Sequence, residues 1–219
     1  MQYKIYIVFF LITWNIKNYF PMSNNLPQAG LDLFRKSLEE NYCPLPDGDF
    51  ERLKDVMKYK KYNKGEVVLQ EGKVCCHFWF IIKGCFRIFA VENGIDRNVR
   101  FFLEQSIASD FISLRHHLPS NFYIVALEDT EVLYSYKPDY KPVLSFSKSM
   151  ISLTAEFFAS QFYNEIEHSN SFKLMTPEER YNNLLITQPK YFQRIPLTYL
   201  ASYLGMSRKT LCRIRTNAN

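Results

Sequence analysis

Cationic and hydroxyl side chains near the end of the chain have the types and the spacing that suit a contact with DNA. They are Ser207, Arg208, Lys209, Thr210, Arg213 and Arg215. Residues 169–219 hold eight Lys or Arg residues against Glu178 and Glu179, a net charge of +6, whereas the whole chain carries +5. Because phosphate contacts and counterion release supply most non-specific affinity for nucleic acids, this concentration of positive charge predicts double-stranded DNA as a partner.

The residues just before this cluster predict the helix that must support it. Leu200, Ala201 and Leu204 are apolar at helical spacing. Gly205 follows where a tight turn between two helices needs a left-handed residue, and Met206 can fill the angle between them. Ala201 is small, which allows the two helices to cross closely.

A second helix is predicted to begin after Ser207, whose hydroxyl can cap it. Leu211 and Ile214 are three residues apart and would face inward, which leaves the cationic side chains outside. The two helices are typical of a helix-turn-helix, with an outer face suited to the major groove. The alternative is an ordinary helical hairpin with a solvated basic face.

The composition indicates a folded chain with one sizeable core and a small additional domain. The 219 residues are 47% hydrophobic and 16% aromatic, which excludes an intrinsically disordered protein. The five cysteines show no C-x-x-C spacing, and no paired histidines accompany them. We therefore expect a reducing, cytoplasmic location and no metal site.

The first residues form an apolar run that resembles the front of a signal peptide. Residues 5–12 are all apolar and follow Lys4, but they are too few to span a bilayer, which needs about 20. No small-x-small cleavage site follows them. We interpret residues 1–21 as an extension upstream of a true start at Met22, and we expect no membrane partner.

Residues 22–137 change from helical to strand periodicity. Two short helical patterns lie within residues 31–59, and residues 62–135 then alternate apolar and polar side chains. Turns containing glycine separate the runs, and the Asn93-Gly94 pair is a favoured hairpin turn. Short, evenly spaced strands of this kind predict a small antiparallel barrel or sandwich.

Helical periodicity returns after Lys137 and predicts one long helix over residues 138–168. Its two apolar stripes exceed what a single barrel face needs. The side chains assigned to this dimerisation helix are Met150, Leu153, Phe157, Phe158 and Phe162. One stripe can pack on the barrel while the other meets the same helix of a second copy, which predicts a homodimer. The alternative is one broad buried face within a monomer.

The last predicted domain covers residues 169–219. The sequence from Thr176 to Glu179 is Thr-Pro-Glu-Glu, a capping box with proline at the first helical position. A helix should therefore begin there, and Pro189 marks its end.

Several of these segments resemble the Crp/Fnr family of transcription regulators. The resemblance is carried by Lys64-Gly65-Glu66, Glu71-Gly72, Phe80-Ile81-Ile82-Lys83-Gly84-Cys85-Phe86-Arg87, residues 126–132 and residues 195–215. It covers about residues 31–215 and is strongest to members from Bacteroidetes-type bacteria. It implies an α+β fold with a cyclic-nucleotide-binding-like antiparallel β-barrel of jelly-roll type, a long dimerisation helix and a C-terminal helix-turn-helix domain.

The resemblance also implies a mode of action. Members are homodimers that bind two-fold symmetric operators, with RNA polymerase as a partner. Their recognition helix commonly follows the pattern Ser-Arg-Glu-Thr-x-x-Arg, which assigns base reading to Arg208 and Arg213. By the same match, Ser207 and Thr210 could bond phosphate. Lys209 departs from the pattern, and because lysine cannot accept a hydrogen bond from cytosine, the operator should differ at that position.

The effector pocket is where the sequence departs most from the family. Members that bind cyclic AMP hold its phosphate with an arginine and backbone donors. Here the matching places are filled by Ser109, Asp110, Ser120 and Asn121, with no arginine. We expect weak cyclic nucleotide binding or none, and a small-molecule effector of unknown identity if there is one. Residues 115–117 could serve a different anion or form a solvated loop.

A second function stays open at this point. The chain could be a small-molecule sensor or adaptor whose barrel binds a ligand other than cyclic AMP and whose helix-turn-helix serves protein contacts. The basic excess favours the regulator, because a protein-docking face does not need that charge. No paired carboxylates, Ser/His/Asp set or glycine-rich phosphate loop occurs at a usable spacing, so we expect no catalytic residues, no enzyme activity and no cofactor.

Overall fold

A computed structural model describes residues 26–217. The predicted extension over residues 1–21 lies outside the described residues. The described chain opens with two helices, α1 (Gln28–Asn41) and α2 (Asp47–Asp55). They coincide with the two short helical patterns predicted from the sequence.

Antiparallel strands make up the next part of the chain. They are β1 (Lys58–Tyr62), β2 (Val67–Leu69), β3 (His77–Lys83), β4 (Phe86–Glu92), β5 (Ile95–Phe102), β6 (Ile107–Ala108), β7 (Tyr123–Ala126) and β8 (Thr130–Tyr136), with the short helix α3 (Phe111–His116) between β6 and β7. The strands form two four-stranded sheets, in the orders β1-β8-β3-β6 and β2-β7-β4-β5. The α+β class and the antiparallel pairing are confirmed. No strand pairing joins the two sheets within residues 26–217, so the arrangement is a sandwich.

The β4–β5 hairpin shows how local sequence sets a register. Asn93 and Gly94 have φ angles of 52° and 75°. Two consecutive positive φ angles are what a type I′ turn requires, and its twist matches that of the flanking strands. Phe86 pairs with Phe102 at the far end of the hairpin. The predicted hairpin is therefore confirmed.

Strand β3 is buried on both faces, which explains its continuous apolar sequence. On the inner face, the indole Nε1 of Trp79 donates to the hydroxyl of Tyr62 at 3.2 Å, and the Tyr62 ring meets Phe86 of the second sheet edge-on. On the outer face, Phe80 packs on Phe34 of α1 at a ring distance of 4.8 Å. Helices thus cover the outer face of the first sheet.

The long helix predicted over residues 138–168 is two helices in the structure. These are α4 (Lys137–Leu144) and α5 (Lys148–Leu174). The break has a local cause, because Ser147 caps α5 by accepting a hydrogen bond from the Met150 amide at 3.1 Å. Helix α5 also ends six residues later than the prediction. The structure thus has a break at residues 145–147 where the sequence predicted one continuous helix, and α4 starts within one residue of the predicted start.

Four helices complete the described chain. They are α6 (Pro177–Thr187), α7 (Pro189–Arg194), α8 (Leu197–Tyr203) and α9 (Arg208–Asn217). The predicted capping box is present, because Thr176 and Glu179 exchange hydrogen bonds at the start of α6. Helix α7 was not predicted from the sequence. No helix of the described residues is long and apolar enough to cross a membrane.

The C-terminal helices pack against strand β5. The hydroxyl of Tyr191 donates to the Phe101 carbonyl at 2.9 Å. The hydroxyl of Ser202 accepts from the Asn98 amide at 3.0 Å and donates to the Asp96 carbonyl at 3.2 Å. Phe101 lies in one buried apolar cluster with side chains of α6 to α9. The sandwich and the C-terminal helices therefore share a core.

Arg194 adds a charged contact to this docking. Its guanidinium meets Glu104 through two bonds of 2.6 and 2.9 Å, and it also contacts Glu128. Burial opposes ionisation of Glu104, but hydrogen bonds from Arg194 and from the Gly84 amide outweigh it, and the pKa of Glu104 is lowered to about 2. The ionised carboxylate thus belongs to the folded state.

Replacement of Glu104 should loosen the docking in a pH-dependent way. At neutral pH we expect Glu104→Gln to lower the free energy of unfolding by about 1 kcal/mol, because Arg194 loses an ionised partner. A carboxylate whose pKa falls on folding stabilises the protein above its ordinary pKa of 4.5, and this contribution is lost as the pH falls towards about 2. Urea unfolding at a series of pH values measures the difference.

The matched control for this experiment is Glu71→Gln, which changes an exposed glutamate outside the docking contact. We expect it to leave the free energy of unfolding nearly unchanged at every pH. A Glu104→Gln effect that stayed constant from neutral pH to pH 3 would contradict the ion pair as its source.

Candidate functional site

The turn between α8 and α9 depends on glycine in two ways. Gly205 has a φ angle of 65°, and the Met206 amide donates across it to the Ala201 carbonyl at 2.9 Å. This bond closes the end of α8 in the manner of a Schellman motif. A Cβ atom at Gly205 would also lie 2.5 Å from Cε1 of Phe172 on α5. A side chain at this position would therefore strain the backbone and displace the ring of Phe172.

Helix α9 has one apolar side that fixes it to its neighbours. Leu211 and Ile214 are only 0% and 6% exposed. The Ser207 hydroxyl accepts from the Thr210 amide at 3.0 Å and lies 2.9 Å from the Thr210 hydroxyl. The Ser207 cap and the buried pair Leu211 and Ile214 thus agree with the prediction from the sequence. The Ser207 and Thr210 hydroxyls already contact each other in the helix cap. A DNA phosphate that bound them would therefore add to these contacts.

The opposite side of α9 is cationic and open to solvent. Its exposed side chains are Arg208, Lys209, Arg213 and Arg215. None of them forms an ion pair within residues 26–217. Unpaired cations on one helix face leave their full charge available to a polyanion. That these residues bind DNA stays a prediction.

The structure divides the side chains that the sequence assigned to the dimer helix. Met150 and Leu153 are 0% and 4% exposed, since they pack into the core of their own chain. Phe157 is half-buried against Tyr42 and Phe111. Met150 and Leu153 therefore belong to the stripe that packs on the sandwich of their own chain, and the contact between two copies along this helix stays a prediction.

The remaining part of the predicted stripe is free. Phe158 and Phe162 are 43% and 64% exposed, and Ile151 and Ile166 on the same side of α5 are 56% and 39% exposed. Residues at these spacings lie along one side of a helix. This exposed stripe is large for a surface that meets only water.

Three of the four side chains predicted to line an effector pocket, those of Ser109, Asp110 and Ser120, are used by the fold itself. Asp110 caps α3 by accepting from the amides of Ile112 and Ser113, both at 3.1 Å. The Ser109 hydroxyl donates to the His77 carbonyl at 3.0 Å. Each of these polar groups therefore already has a partner within the chain.

The other two predicted pocket residues differ in exposure. Ser120 is 2% exposed, and its hydroxyl donates to the Phe122 carbonyl at 3.1 Å, whereas Asn121 faces solvent. Neither they nor Ser109 and Asp110 line the cavities of about 530 and 480 Å³ in the described chain. That the four residues form an effector pocket stays a prediction.

A buried arginine connects the sandwich to α8, and sequence reasoning missed its role. Arg87 on β4 is 7% exposed and pairs with Asp96 at 2.7 Å and Asn98 at 3.2 Å. Its guanidinium carbon lies 3.8 Å from the ring centre of Phe89 and 4.0 Å from that of Tyr199. The signal in the sequence that could have indicated this role is the position of Arg87 among the apolar residues of β4.

The buried cysteines are poorly suited to redox or metal chemistry. Burial raises the pKa of Cys85 to about 12 and also raises that of Cys75. A protonated thiol is a weak nucleophile and a weak metal ligand. Within residues 26–217, no group of three or more His, Cys, Asp or Glu side chains could hold a metal ion.

Comparisons with known proteins agree with this architecture. A model of the family described as cyclic nucleotide-binding domain matches residues 59–144. The catabolite activator protein of Thermus thermophilus has a similar structure, with a TM-score of 0.52 and 19% identity over 83% of this chain and 85% of that one. FixK2 from Bradyrhizobium japonicum is also similar, with a TM-score of 0.62 and 16% identity over 74% of this chain and 84% of that one.

A third similar structure is the sensor domain of the transcriptional regulator DNR from Pseudomonas aeruginosa. Its TM-score is 0.53, with 14% identity over 64% of this chain and 93% of that one. A comparison with curated proteins finds no match. At these identities the structures show a shared fold. Residues 59–144 therefore match the family of cyclic nucleotide-binding domains, and the chain is similar in fold to the catabolite activator protein and FixK2.

Proposed function

We propose that the chain is a DNA-binding transcription regulator of the Crp/Fnr type that acts as a homodimer on a two-fold symmetric operator. The observation that carries the proposal is the outer face of α9, where four cations are exposed and unpaired while Leu211 and Ile214 anchor the opposite side. Helices α8 and α9 form the helix-turn-helix, and α9 enters the major groove.

Base reading falls to Arg208 and Arg213, because a guanidinium can donate two parallel hydrogen bonds to O6 and N7 of guanine. Lys209 and Arg215 flank them and contribute charge near the phosphates. Ser207 and Thr210 keep the start of α9 in place through the helix cap, and they meet phosphate from there.

The second copy meets the exposed stripe of α5. Phe158, Phe162 and Ile166 offer apolar surface that a two-fold related helix can cover. Burial of such side chains favours association, because it removes apolar surface from water. The two copies then present two α9 helices to adjacent turns of the same DNA groove.

The regulator acts in the cytoplasm, with RNA polymerase as a further partner. Its cyclic nucleotide-binding domain differs from cyclic AMP receptors, because no arginine stands at the place that would hold the phosphate. The polar side chains at that place serve the fold, as the Asp110 cap illustrates. Any effector of this chain is therefore a different small molecule.

Selection of bound fragments from a random DNA library tests the proposal directly. The full chain should enrich a two-fold symmetric site, with half-sites about one helical turn apart. The selection is repeated at two salt concentrations, because the phosphate contribution weakens as salt rises while the sequence preference remains.

The control for the dimer is Phe162→Glu, which puts a charge into the exposed stripe and should abolish enrichment of the symmetric site. Gln193→Glu, an exposed change on α7, should keep it. No enrichment by the unmodified chain at either salt would contradict the regulator and favour the sensor or adaptor.

Arg213→Ala should separate base reading from charge. We expect it to weaken binding to the selected operator by about 1–3 kcal/mol and to relax the preference at one base pair in each half-site. Its control is Lys173→Ala, which removes an exposed cation from the last turn of α5 and should weaken all sequences alike. Equal losses on operator and random DNA for Arg213→Ala would argue against base reading.

Cyclic AMP should not bind at micromolar concentration. The reason is that Asp110 and Ser120 already have partners in the fold, and no guanidinium is available to neutralise the phosphate. Calorimetric titration of the full chain with cyclic AMP measures this. A saturable heat with micromolar affinity would overturn the expectation and make cyclic AMP the effector.

A further inference from the structure

A large apolar cavity lies on the outer face of the first sheet, away from the predicted effector pocket. Its volume is about 530 Å³. We call it the outer cavity, and its walls come from α1 to α5 together with β3 and β6. Cavities of a few hundred cubic ångströms are the size that small-molecule ligands occupy.

Six aromatic rings line the outer cavity. They are Phe34, Phe78, Phe111, Tyr140, Phe157 and Phe158. Phe111 of α3 meets Phe157 and Phe158 of α5 at ring distances of 5.4 and 6.0 Å, so the two helices close one side together. Phe78 and Tyr140 form another edge-on pair, at 4.9 Å. Such a wall suits a hydrocarbon chain.

All the charged side chains that line the outer cavity are cations. Arg115, Lys137 and Lys141 line the outer cavity, and no aspartate or glutamate does. None of the three forms an ion pair within residues 26–217. Lys137 donates instead to the backbone carbonyls of Leu114 and Arg115. Arg115 and Lys141 are therefore left for an anion.

The aliphatic hydroxyls in the lining, those of Ser145 and Thr154, do not compete for that anion. Thr154 donates to the Met150 carbonyl at 2.8 Å, and Ser145 donates to the carbonyls of Lys141 and Pro142 at 3.4 and 3.2 Å. Recognition of a polar head group would thus fall to the cations.

We propose that the outer cavity binds a free carboxylic acid with a long hydrocarbon chain, such as a fatty acid. The chain lies among the aromatic rings, and the carboxylate lies between Arg115 and Lys141. The apolar wall removes the chain from water, while the cations compensate the carboxylate for lost hydration. Binding does not depend on the proposed action on DNA.

The combination of a ring-lined cavity with unpaired cations is what selects this ligand class. A neutral hydrocarbon would leave the cations without a partner, and a small inorganic anion would leave the rings in contact with water. A cationic amphiphile would be repelled by all three side chains.

Isothermal titration calorimetry of the full chain with dodecanoate, below its micelle concentration, tests the proposal. We expect one saturable site per chain. Dodecanol has the same chain length without the charge and should bind about tenfold more weakly, because it loses the charge-assisted bonds. Dodecyltrimethylammonium should show no saturable binding.

Two substitutions locate the ligand. Lys141→Glu reverses an exposed charge beside the cavity and should weaken dodecanoate binding about tenfold or more. Ala155→Trp puts a large ring into the cavity mouth from the exposed side of α5 and should abolish binding. The matched control is Lys148→Glu, an exposed lysine that does not line the cavity, which should bind dodecanoate like the unmodified chain.

Three results would overturn the proposal. The first is the absence of saturable dodecanoate binding, and the second is equal affinity for dodecanoate and dodecyltrimethylammonium. The third is loss of the dimer, measured by analytical ultracentrifugation, in Ala155→Trp while dodecanoate binding persists, which would assign the mouth of the cavity to a second copy. None of these results depends on whether the chain selects a DNA site, so they leave the proposed function unaffected.

Discussion

The placement of α9 depends on a close backbone approach at Gly84. A Cβ atom there would overlap Thr130, and the φ angle of 106° is one that other residues rarely adopt. This approach lets the Gly84 amide reach Glu104 at 2.9 Å and lets Thr130 accept from the Cys85 amide at 3.2 Å. Glu104 in turn holds Arg194 of α7. A continuous polar chain therefore runs from the start of β4 to the C-terminal helices.

Two further contacts make the same connection from the other side of the β4–β5 hairpin. Phe101 packs edge-on against Tyr191, and Arg87 stacks on Tyr199 of α8. Because these contacts join elements that are distant along the chain, the direction of α9 is set by the sandwich as much as by the turn at Gly205. In the proposed dimer, a change in the sandwich would alter the distance between the two recognition helices through these contacts.

Features that depend on neighbouring residues could be predicted from the sequence. Asn93-Gly94 formed its hairpin and Thr176 its capping box, because turn geometry and caps are settled within a few residues. The break at Ser147 was missed, since apolar periodicity continues across it and only the cap shows where α5 begins. The burial of Met150 within its own chain could not be separated from a contact between copies for a related reason. A helical stripe shows that a side chain is buried, but not which partner buries it.

The candidate sites show the same limit in their chemistry. The Asp110 carboxylate is of a type that could contact a ligand, yet it caps α3. The first amides of a helix have no partner within the helix, and a carboxylate at the helix start accepts hydrogen bonds from them. Conversely, the sequence left the segment around Arg115 undecided between a solvated loop and an anion contact. The fold brings Arg115 to Lys137 and Lys141, from a different part of the chain, beside rings from α1, β3 and α5. No spacing along the sequence could show that convergence, since each element reaches the outer cavity through the packing of the helices on the first sheet.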